Sequence, residues 1–227
     1  MLYLKEKGSR YSAPTPLFQR GKSFLTKKGF IMERIASIVR QTLETDIQLT
    51  LNLDGTGKRD ISTGIGFFDH MLTLFTAHGF FDLSIQAKGD LHVDLHHTVE
   101  DVGLVLGDAF DKALGDRKGI QRYGHSVVPM DETLTAVTVD LSRRPYLVFQ
   151  VPVPFSGSDD CFDVGLCKEF FRAFSVRAGM NLHINVWYGE NQHHIIESMF
   201  KAAGRALDGA VSMDGRITDI HSTKGNL

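Results

Sequence analysis

Apolar and polar residues alternate from Ile47 to Leu53, a pattern that predicts a half-buried β-strand. Residues 54–57 carry turn-forming types, so Arg59 to Thr63 is predicted to return as the second strand of a hairpin. The following residues change from strand to helical spacing, and glycine 79 ends the first helix. These later predicted elements are a helix over 67–78, a strand over 83–87 and a helix over 96–114.

The second half of the chain repeats this order of elements. Its predicted elements are a strand start at Tyr123, strands over 134–141 and 146–151, a helix over 164–178, a strand over 182–187 and a helix over 193–211. When His96 is placed on His193, Gly107 falls on Gly204. We therefore interpret the chain as an internal duplication of a β-β-α-β-α unit of roughly 80 to 90 residues.

Each unit is predicted to form a small sheet with one apolar face and two helices that cover it. Two such units would pack helix layer against helix layer. This arrangement predicts an α+β protein, a sheet-helices-sheet sandwich. The predicted regions are an N-terminal extension over 1–31, a first repeat half over 32–118, a second repeat half over 119–215 and a substrate-binding tail over 216–227.

The first 31 residues differ in composition from the rest. They hold seven lysines and arginines against one acid, Glu6, and Pro14 and Pro16 break any helix. We predict that this extension is disordered. It lacks the apolar segment of a signal peptide, which favours a cytoplasmic protein. A weak transit peptide, including one for a plastid, a cloning remnant, and translation from a start upstream of Met32 remain open explanations.

Overall composition narrows the class of partner. The formal net charge is -2, which excludes a generally basic nucleic-acid binder. No apolar run approaches the ~20 residues that a membrane span needs. With 42% hydrophobic and 23% charged residues, the chain is typical of a globular protein. We therefore expect neither nucleic acid nor membrane as a partner.

Two segments, 96–100 and 193–197, read His-His-x-x-Glu and open predicted helices. Residues four apart share a helix face, so the first His and the Glu can share one metal ion. The second His is rotated by about 100° and must point elsewhere, so each segment is predicted to serve two metal sites. Imidazole and carboxylate without thiolate suit Mn, Fe, Co or Zn. The candidate ligands are His96, His97, Glu100, His193, His194 and Glu197.

Further candidates lie outside these segments. His70 lies in the first predicted helix, and Glu169 is its equivalent in the second half, so each half offers one more ligand. Arg122, Arg144 and Lys224 are candidate anion binders, since arginine binds phosphate through a bidentate fork and lysine as a point charge. Solvated surface charge is the simpler interpretation for any one of these three taken alone.

From residue 32 to residue 227 the chain resembles the imidazoleglycerol-phosphate dehydratase family, lyases of histidine biosynthesis. The shared motifs are Arg40-x-Thr42-x-Glu44-Thr45, Gly64-Ile65-x-Phe67-x-Asp69-His70-Met71-Leu72, Asp94-x-His96-His97-x-x-Glu100-Asp101, Gly189-x-Asn191-x-His193-His194-x-x-Glu197, Phe200-Lys201-Ala202 and a Ser-x-Lys-Gly tail at 222–225. Three positions depart from the family pattern. Glu169 stands where members often have His, Leu95 where an acid is common, and His221-Ser222-Thr223-Lys224 where Pro-Ser-Ser-Lys is usual.

The resemblance implies a hydro-lyase that converts imidazoleglycerol phosphate to imidazoleacetol phosphate. The carbon-bound proton that this reaction removes from the substrate is not acidic. Metal ions at the nitrogens of the substrate's imidazole ring would favour its imidazolate form, which can expel the neighbouring hydroxyl. The resemblance also implies the ribosomal protein S5 domain 2-like fold and a 24-subunit homo-oligomer with active sites between subunits. The implied ligands of two manganese ions per active site are His70, His96, His97, Glu100, Glu169, His193, His194 and Glu197.

Within this resemblance we expect Glu44 to be the general acid/base, with Lys201 facing the same site. The expected substrate-binding residues are Glu44, His70, Arg122, Arg144, Lys201, Ser222, Thr223 and Lys224. Two other functions remain open. A dinuclear metallohydrolase would release phosphate from phosphorylated substrates. A metal-storage or structural metal protein would bind metal yet have no use for Glu44.

Overall fold

The structure, a computed structural model, describes residues 33–151 and 162–226. The predicted disorder of residues 1–31 lies outside the described residues. The described residues form one compact unit. Its elements in chain order are β1 (Ile35–Gln41), β2 (Thr45–Asn52), β3 (Arg59–Ser62), α1 (Gly66–Gly79), β4 (Asp82–Gly89), α2 (His96–Leu114), β5 (Tyr123–Met130), β6 (Thr133–Asp140), β7 (Tyr146–Gln150), α3 (Val164–Arg177), β8 (Asn181–Tyr188) and α4 (Gln192–Val211).

The strands form two four-stranded sheets with the same topology. Their strand orders are β1-β2-β4-β3 and β5-β6-β8-β7. In each sheet the last-named edge strand runs parallel to its neighbour, and the other pairs are antiparallel. This repetition confirms the predicted duplication and the α+β class. Each unit contains one strand more than predicted: β1 was not assigned, and β5 was predicted only at its start.

The predicted hairpin of β2 and β3 is wrong. β3 pairs in parallel with β4, and β4 lies between β2 and β3. The connection is held on β4 because Asp82 Oδ1 accepts hydrogen bonds from the backbone N–H groups of Thr56 and Lys58, at 2.7 and 2.9 Å. A Cβ on Gly55 would lie 2.2 Å from Asp82 N, so the turn packs directly on the start of β4.

The core lies between the sheets and the helices. The alternation predicted for β2 is confirmed, since Ile47, Leu49 and Leu51 are at most 2% exposed. The largest buried apolar side chains are phenylalanines, each of which stabilises the fold by about 1.5–3 kcal/mol. They are Phe68, Phe75, Phe81, Phe110, Phe170, Phe171, Phe174 and Phe200. No helix in the described part of the chain has the length and hydrophobicity required to cross a membrane.

The helices pack in pairs that join the two halves: α1 contacts α4, and α2 contacts α3. Equivalent glycines allow both close approaches. A Cβ on Gly204 of α4 would lie 2.4 Å from Phe75 O of α1, and a Cβ on Gly107 of α2 would lie 2.8 Å from Phe174 O of α3. This confirms the sheet-helices-sheet sandwich. It also places ligand candidates of one half beside those of the other.

Candidate metal centre

One group of candidate ligands, which we call the first half-site, consists of His70 of α1 and His193 and Glu197 of α4. His70 Nε2 lies 3.7 Å, and His193 Nε2 3.2 Å, from Glu197 Oε2. One ligand atom from each residue lies within 4.8 Å of the other two, and no other such trio occurs in residues 33–151 and 162–226. The packing of α1 on α4 therefore assembles imidazole and carboxylate donors from both halves.

Lys201, one helical turn after Glu197, lies beside this half-site. Its Nζ is 2.5 Å from Glu197 Oε1, the oxygen not approached by the two imidazoles. Burial alone would raise the pKa of Glu197, but hydrogen bonds with Lys201 and His193 lower that pKa overall. Glu197 is therefore held as a carboxylate, the form that binds metal.

The second half-site consists of His96 and Glu100 of α2 and Glu169 of α3. His96 Nε2 lies 3.3 Å from Glu100 Oε2, and His96 and Glu169 line the same cavity. Arg172 of α3 stands between the carboxylates, with Nη2 2.5 Å from Glu169 Oε2 and 3.1 Å from Glu100 Oε1. The duplication thus produces two half-sites with equivalent backbone positions that differ at one of the three residues, Glu169 in place of His70.

His97 and His194 point away from these half-sites, as helix geometry predicts. His97 Nδ1 lies 3.0 Å from Asp90 Oδ2, and His194 Nδ1 lies 2.7 Å from Glu132 Oε2. These hydrogen bonds raise the pKa of both histidines. A carboxylate at Nδ1 fixes the tautomer of an imidazole and leaves Nε2 for a metal ion. Both histidines therefore face away from their own half-site, with Nδ1 held by a carboxylate.

The starts of α2 and α4 share a capping device. Asp94 Oδ1 accepts a hydrogen bond from the backbone N–H of His96 at 2.8 Å. Asn191 Oδ1 accepts from the backbone N–H groups of His193 and His194, at 2.9 and 3.4 Å. Such bonds satisfy N–H groups that a helix start leaves free. The Asp and Asn of the two motifs therefore place each His pair on the first turn of its helix.

Glu44 lies in the turn between β1 and β2, and α2 holds that turn in place. Arg40 Nη2 donates to Asp101 Oδ1 at 2.8 Å, and the hydroxyl of Thr45 donates to Asp101 Oδ2. The Glu44 side chain remains 54% exposed, with Oε2 3.8 Å from His97 Nδ1. The surrounding motif residues therefore fix the backbone of Glu44 and leave its carboxylate accessible.

The predicted anion binders gather at a separate place. Arg122 forms two hydrogen bonds to Asp140, at 2.7 and 3.0 Å, and donates to the backbone oxygen of His221 at 2.7 Å. Arg144 Nη2 lies 3.7 Å from Asp140. A cavity of about 440 Å³ is lined by Arg122, Tyr123, Arg144, His221, Ser222, Thr223 and Lys224. It shares no residue with either half-site, so within one copy the predicted substrate-binding residues form separate groups.

A family model of imidazoleglycerol-phosphate dehydratase matches residues 63–207. The chain belongs to this family. The dehydratase of Desulfosudis oleivorans is 63% identical over 194 residues, which cover 86% of this chain and 99% of that one. The dehydratase of Acetivibrio thermocellus is 57% identical over 196 residues, 86% of this chain and all of that one. Dehydratases are hydro-lyases, so the predicted enzyme class is confirmed.

Solved structures of the dehydratase family share the fold. The Staphylococcus aureus enzyme matches with a TM-score of 0.71 and 40% identity over 79% of this chain and 99% of that chain. The Pyrococcus furiosus enzyme matches with a TM-score of 0.72 and 37% identity over 84% of this chain and 100% of that chain. The comparisons confirm the predicted family and its architecture.

Three residues that contact the candidate ligands, Asp90, Glu132 and Arg172, are not among those predicted from the sequence. Glu132 precedes Thr133, the first residue of β6, as Glu44 precedes Thr45, the first residue of β2, so the repeated Glu-Thr dipeptide was an available signal for Glu132. Arg172 follows Glu169 at helical spacing, a weaker signal. Asp90 had no signal, because its contact with His97 depends on how the loop after β4 packs.

Proposed function

We propose that this chain is a manganese-dependent imidazoleglycerol-phosphate dehydratase. It removes water from imidazoleglycerol phosphate to give imidazoleacetol phosphate, a step of L-histidine biosynthesis. The observation that carries this proposal is the first half-site. There, His70, His193 and Glu197 bring ligand atoms from both halves within 4.8 Å of one another, in a chain of the dehydratase family.

The donor atoms fit a pair of manganese ions. Imidazole nitrogens and carboxylate oxygens without thiolate suit this metal, and each half-site offers three such residues. Bound ions would supply Lewis-acid chemistry at the nitrogens of the substrate's imidazole ring. The eight proposed ligands are His70, His96, His97, Glu100, Glu169, His193, His194 and Glu197.

Glu44 is the proposed general acid/base. Its carboxylate is accessible, its backbone is fixed, and the reaction requires a group that accepts a carbon-bound proton and returns a proton to the substrate. Lys201 is the second proposed catalytic residue. It is 17% exposed and lies on Glu197, so its ammonium group would face a substrate bound at the first half-site.

The proposed phosphate-binding group is the cavity formed with the C-terminal tail. Arg144 is 62% exposed and is available for a bidentate contact with phosphate. Arg122 is already paired with Asp140, so its proposed role is to hold the tail through His221 O. The proposed substrate-binding residues are Glu44, His70, Arg122, Arg144, Lys201, Ser222, Thr223 and Lys224.

The separation of these groups supports an assembly with active sites between subunits. His97 and His194 face away from the half-sites of their own copy, and the tail cavity shares no residue with them. In a homo-oligomer, one copy would complete the ligand set and phosphate contacts of another. The 24-subunit particle is the assembly that we propose.

The proposed location is the cytoplasm. The curated relatives described above come from bacteria, and they give no support to a plastid address for the basic N-terminal segment. The reaction that we propose involves a small phosphorylated imidazole and neither nucleic acid nor membrane.

The direct test is to incubate manganese-loaded protein with imidazoleglycerol phosphate and to follow the enolised ketone product by absorbance. We expect product with manganese, none after chelation, and no release of inorganic phosphate. Phosphate release without ketone would instead indicate a metallohydrolase. Well-folded, metal-bound protein that forms no ketone would contradict the proposed function.

A further inference from the structure

Arg172 of α3 occupies the space between two proposed ligands of the second half-site. Its Nη2 lies 2.5 Å from Glu169 Oε2 and 3.1 Å from Glu100 Oε1, and its Nε donates to the same Glu169 oxygen at 2.7 Å. One cationic nitrogen thus bridges two carboxylates that the proposed function assigns to one metal ion. Oε2 of Glu100 faces His96 Nε2 at 3.3 Å and is not contacted by Arg172, so a metal ion at these ligands would compete with Arg172 for the charge of the two carboxylates.

The cation of the first half-site contacts a single carboxylate of that site. Lys201 contacts Glu197 Oε1, whereas His70 and His193 approach Oε2. In both half-sites the carboxylate oxygen nearest an imidazole is therefore not contacted by the cation, and the difference is that Arg172 also holds a second carboxylate, Glu169. In the part of the chain that the structure describes, the first half-site forms a compact ligand trio, and the second forms no such group.

Charge explains why the second half-site holds a bridging cation. It has two carboxylates, Glu100 and Glu169, whereas the first half-site has Glu197 alone. Two neighbouring carboxylates repel each other unless a cation offsets their charge. Arg172 provides that charge and is itself 51% exposed, so solvent is available for its side chain to move into. Exposed ion pairs contribute little stability, so a divalent ion can displace this arginine.

We propose that Arg172 is a displaceable counter-ion of the second half-site. It binds Glu100 and Glu169 in the metal-free protein and leaves them when metal arrives. The two half-sites therefore fill in order, with the His70/His193/Glu197 group first and the His96/Glu100/Glu169 group second. This inference rests on the proposed function, because it requires that both half-sites bind metal.

The test is a titration of chelator-treated full-length protein with MnCl₂, followed by calorimetry and by the electron paramagnetic resonance signal of free Mn²⁺. We expect two affinity classes in the unchanged protein. Arg172→Gln should tighten the weaker class by about two- to tenfold and leave the tighter class unchanged. Arg172→Lys should fall between, because an ammonium group lacks the planar fork that spans two carboxylates.

Arg177→Gln is the matched control. Arg177 also lies on α3, is also 51% exposed, and pairs with Asp108 of α2 at 2.7 and 2.9 Å. This variant removes the same kind of ion pair between α3 and α2 but contacts no proposed ligand. Neither affinity class should change, and melting of the metal-free variants should show that both are folded.

Glu169→Gln assigns the classes, since it should remove the weaker one and retain the tighter one. Loss of the tighter class in this variant overturns the proposed order of filling. A weaker class that loosens in Arg172→Gln, or that responds as in Arg177→Gln, also overturns the inference and leaves the proposed function intact. Unchanged protein that binds no Mn²⁺ contradicts the proposed function itself.

Discussion

Glu44 and Glu132 occupy equivalent positions in the two halves and have different surroundings. Each stands immediately before a buried threonine that begins the second strand of its sheet, and each lies near Nδ1 of an outward-facing histidine. Glu132 Oε2 lies 2.7 Å from His194 Nδ1, and its Oε1 accepts from the backbone N–H of Asn191 at 2.8 Å. Glu44 remains 3.8 Å from His97. Duplication therefore preserved the residue, while its partners diverged.

The residue that follows the last strand of each half in chain order explains why the two glutamates have different partners. Asp90 follows β4, and its Oδ2 lies 3.0 Å from His97 Nδ1. The equivalent residue after β8 is Gly189, where a Cβ would lie 2.5 Å from Thr133 Oγ1. No side chain fits at this position, so the carboxylate that contacts His194 Nδ1 comes from Glu132 instead. Because Asp90 contacts His97 Nδ1, the carboxylate of Glu44 remains accessible.

The largest expected difference between the two glutamates is in turnover. Glu44→Gln should lower kcat by about 10²–10⁴-fold at saturating manganese, because an amide cannot accept or return the proton. Manganese content should stay normal, since Glu44 is not a proposed ligand. The measurement is kcat together with bound metal per subunit, and near-normal kcat in this variant would refute the role of Glu44.

The elements were predictable where a local pattern determines them. The alternation in β2 and the apolar positions of α1 follow from burial of one face, and the His pairs follow from helical periodicity. The place of β3 was not predictable, because the turn after Leu53 has hairpin residues, yet Asp82 holds the connection on β4. The same limit applies to Asp90, whose partner His97 is brought near only when the loop after β4 packs against α2.

A second test concerns Glu132, for which the main expected change is in manganese affinity and not in turnover. Glu132→Gln should weaken manganese affinity by about 10–100-fold, because His194 loses the carboxylate that orients its ring. At saturating manganese its kcat should approach that of the unchanged protein, in contrast to Glu44→Gln. Metal titration and kcat over a range of manganese concentrations separate the two effects. A kcat deficit that excess metal does not correct would mean that the two glutamates have not diverged in role.

The smallest expected effect comes from Asp90→Ala, which gives the first half the partner pattern of the second. With Asp90 removed, Glu44 Oε2 would close from 3.8 Å to hydrogen-bond distance from His97 Nδ1. The carboxylate of Glu44 would then spend part of the time bound to His97. For this reason kcat should fall by about two- to fivefold, as expected for one exposed ion pair. The fold should tolerate the change, because Asp90 Oδ1 is buried without a hydrogen-bond partner.

A double-mutant cycle decides whether Asp90 acts through Glu44. In the Glu44→Gln background, Asp90→Ala should cause no further loss of kcat, because no carboxylate remains to be drawn to His97. Equal losses in both backgrounds would show that Asp90 affects turnover by another route. In that case Asp90 and Glu132 would both act only by orienting a histidine, and the exposure of Glu44 would need a different explanation from competition at His97.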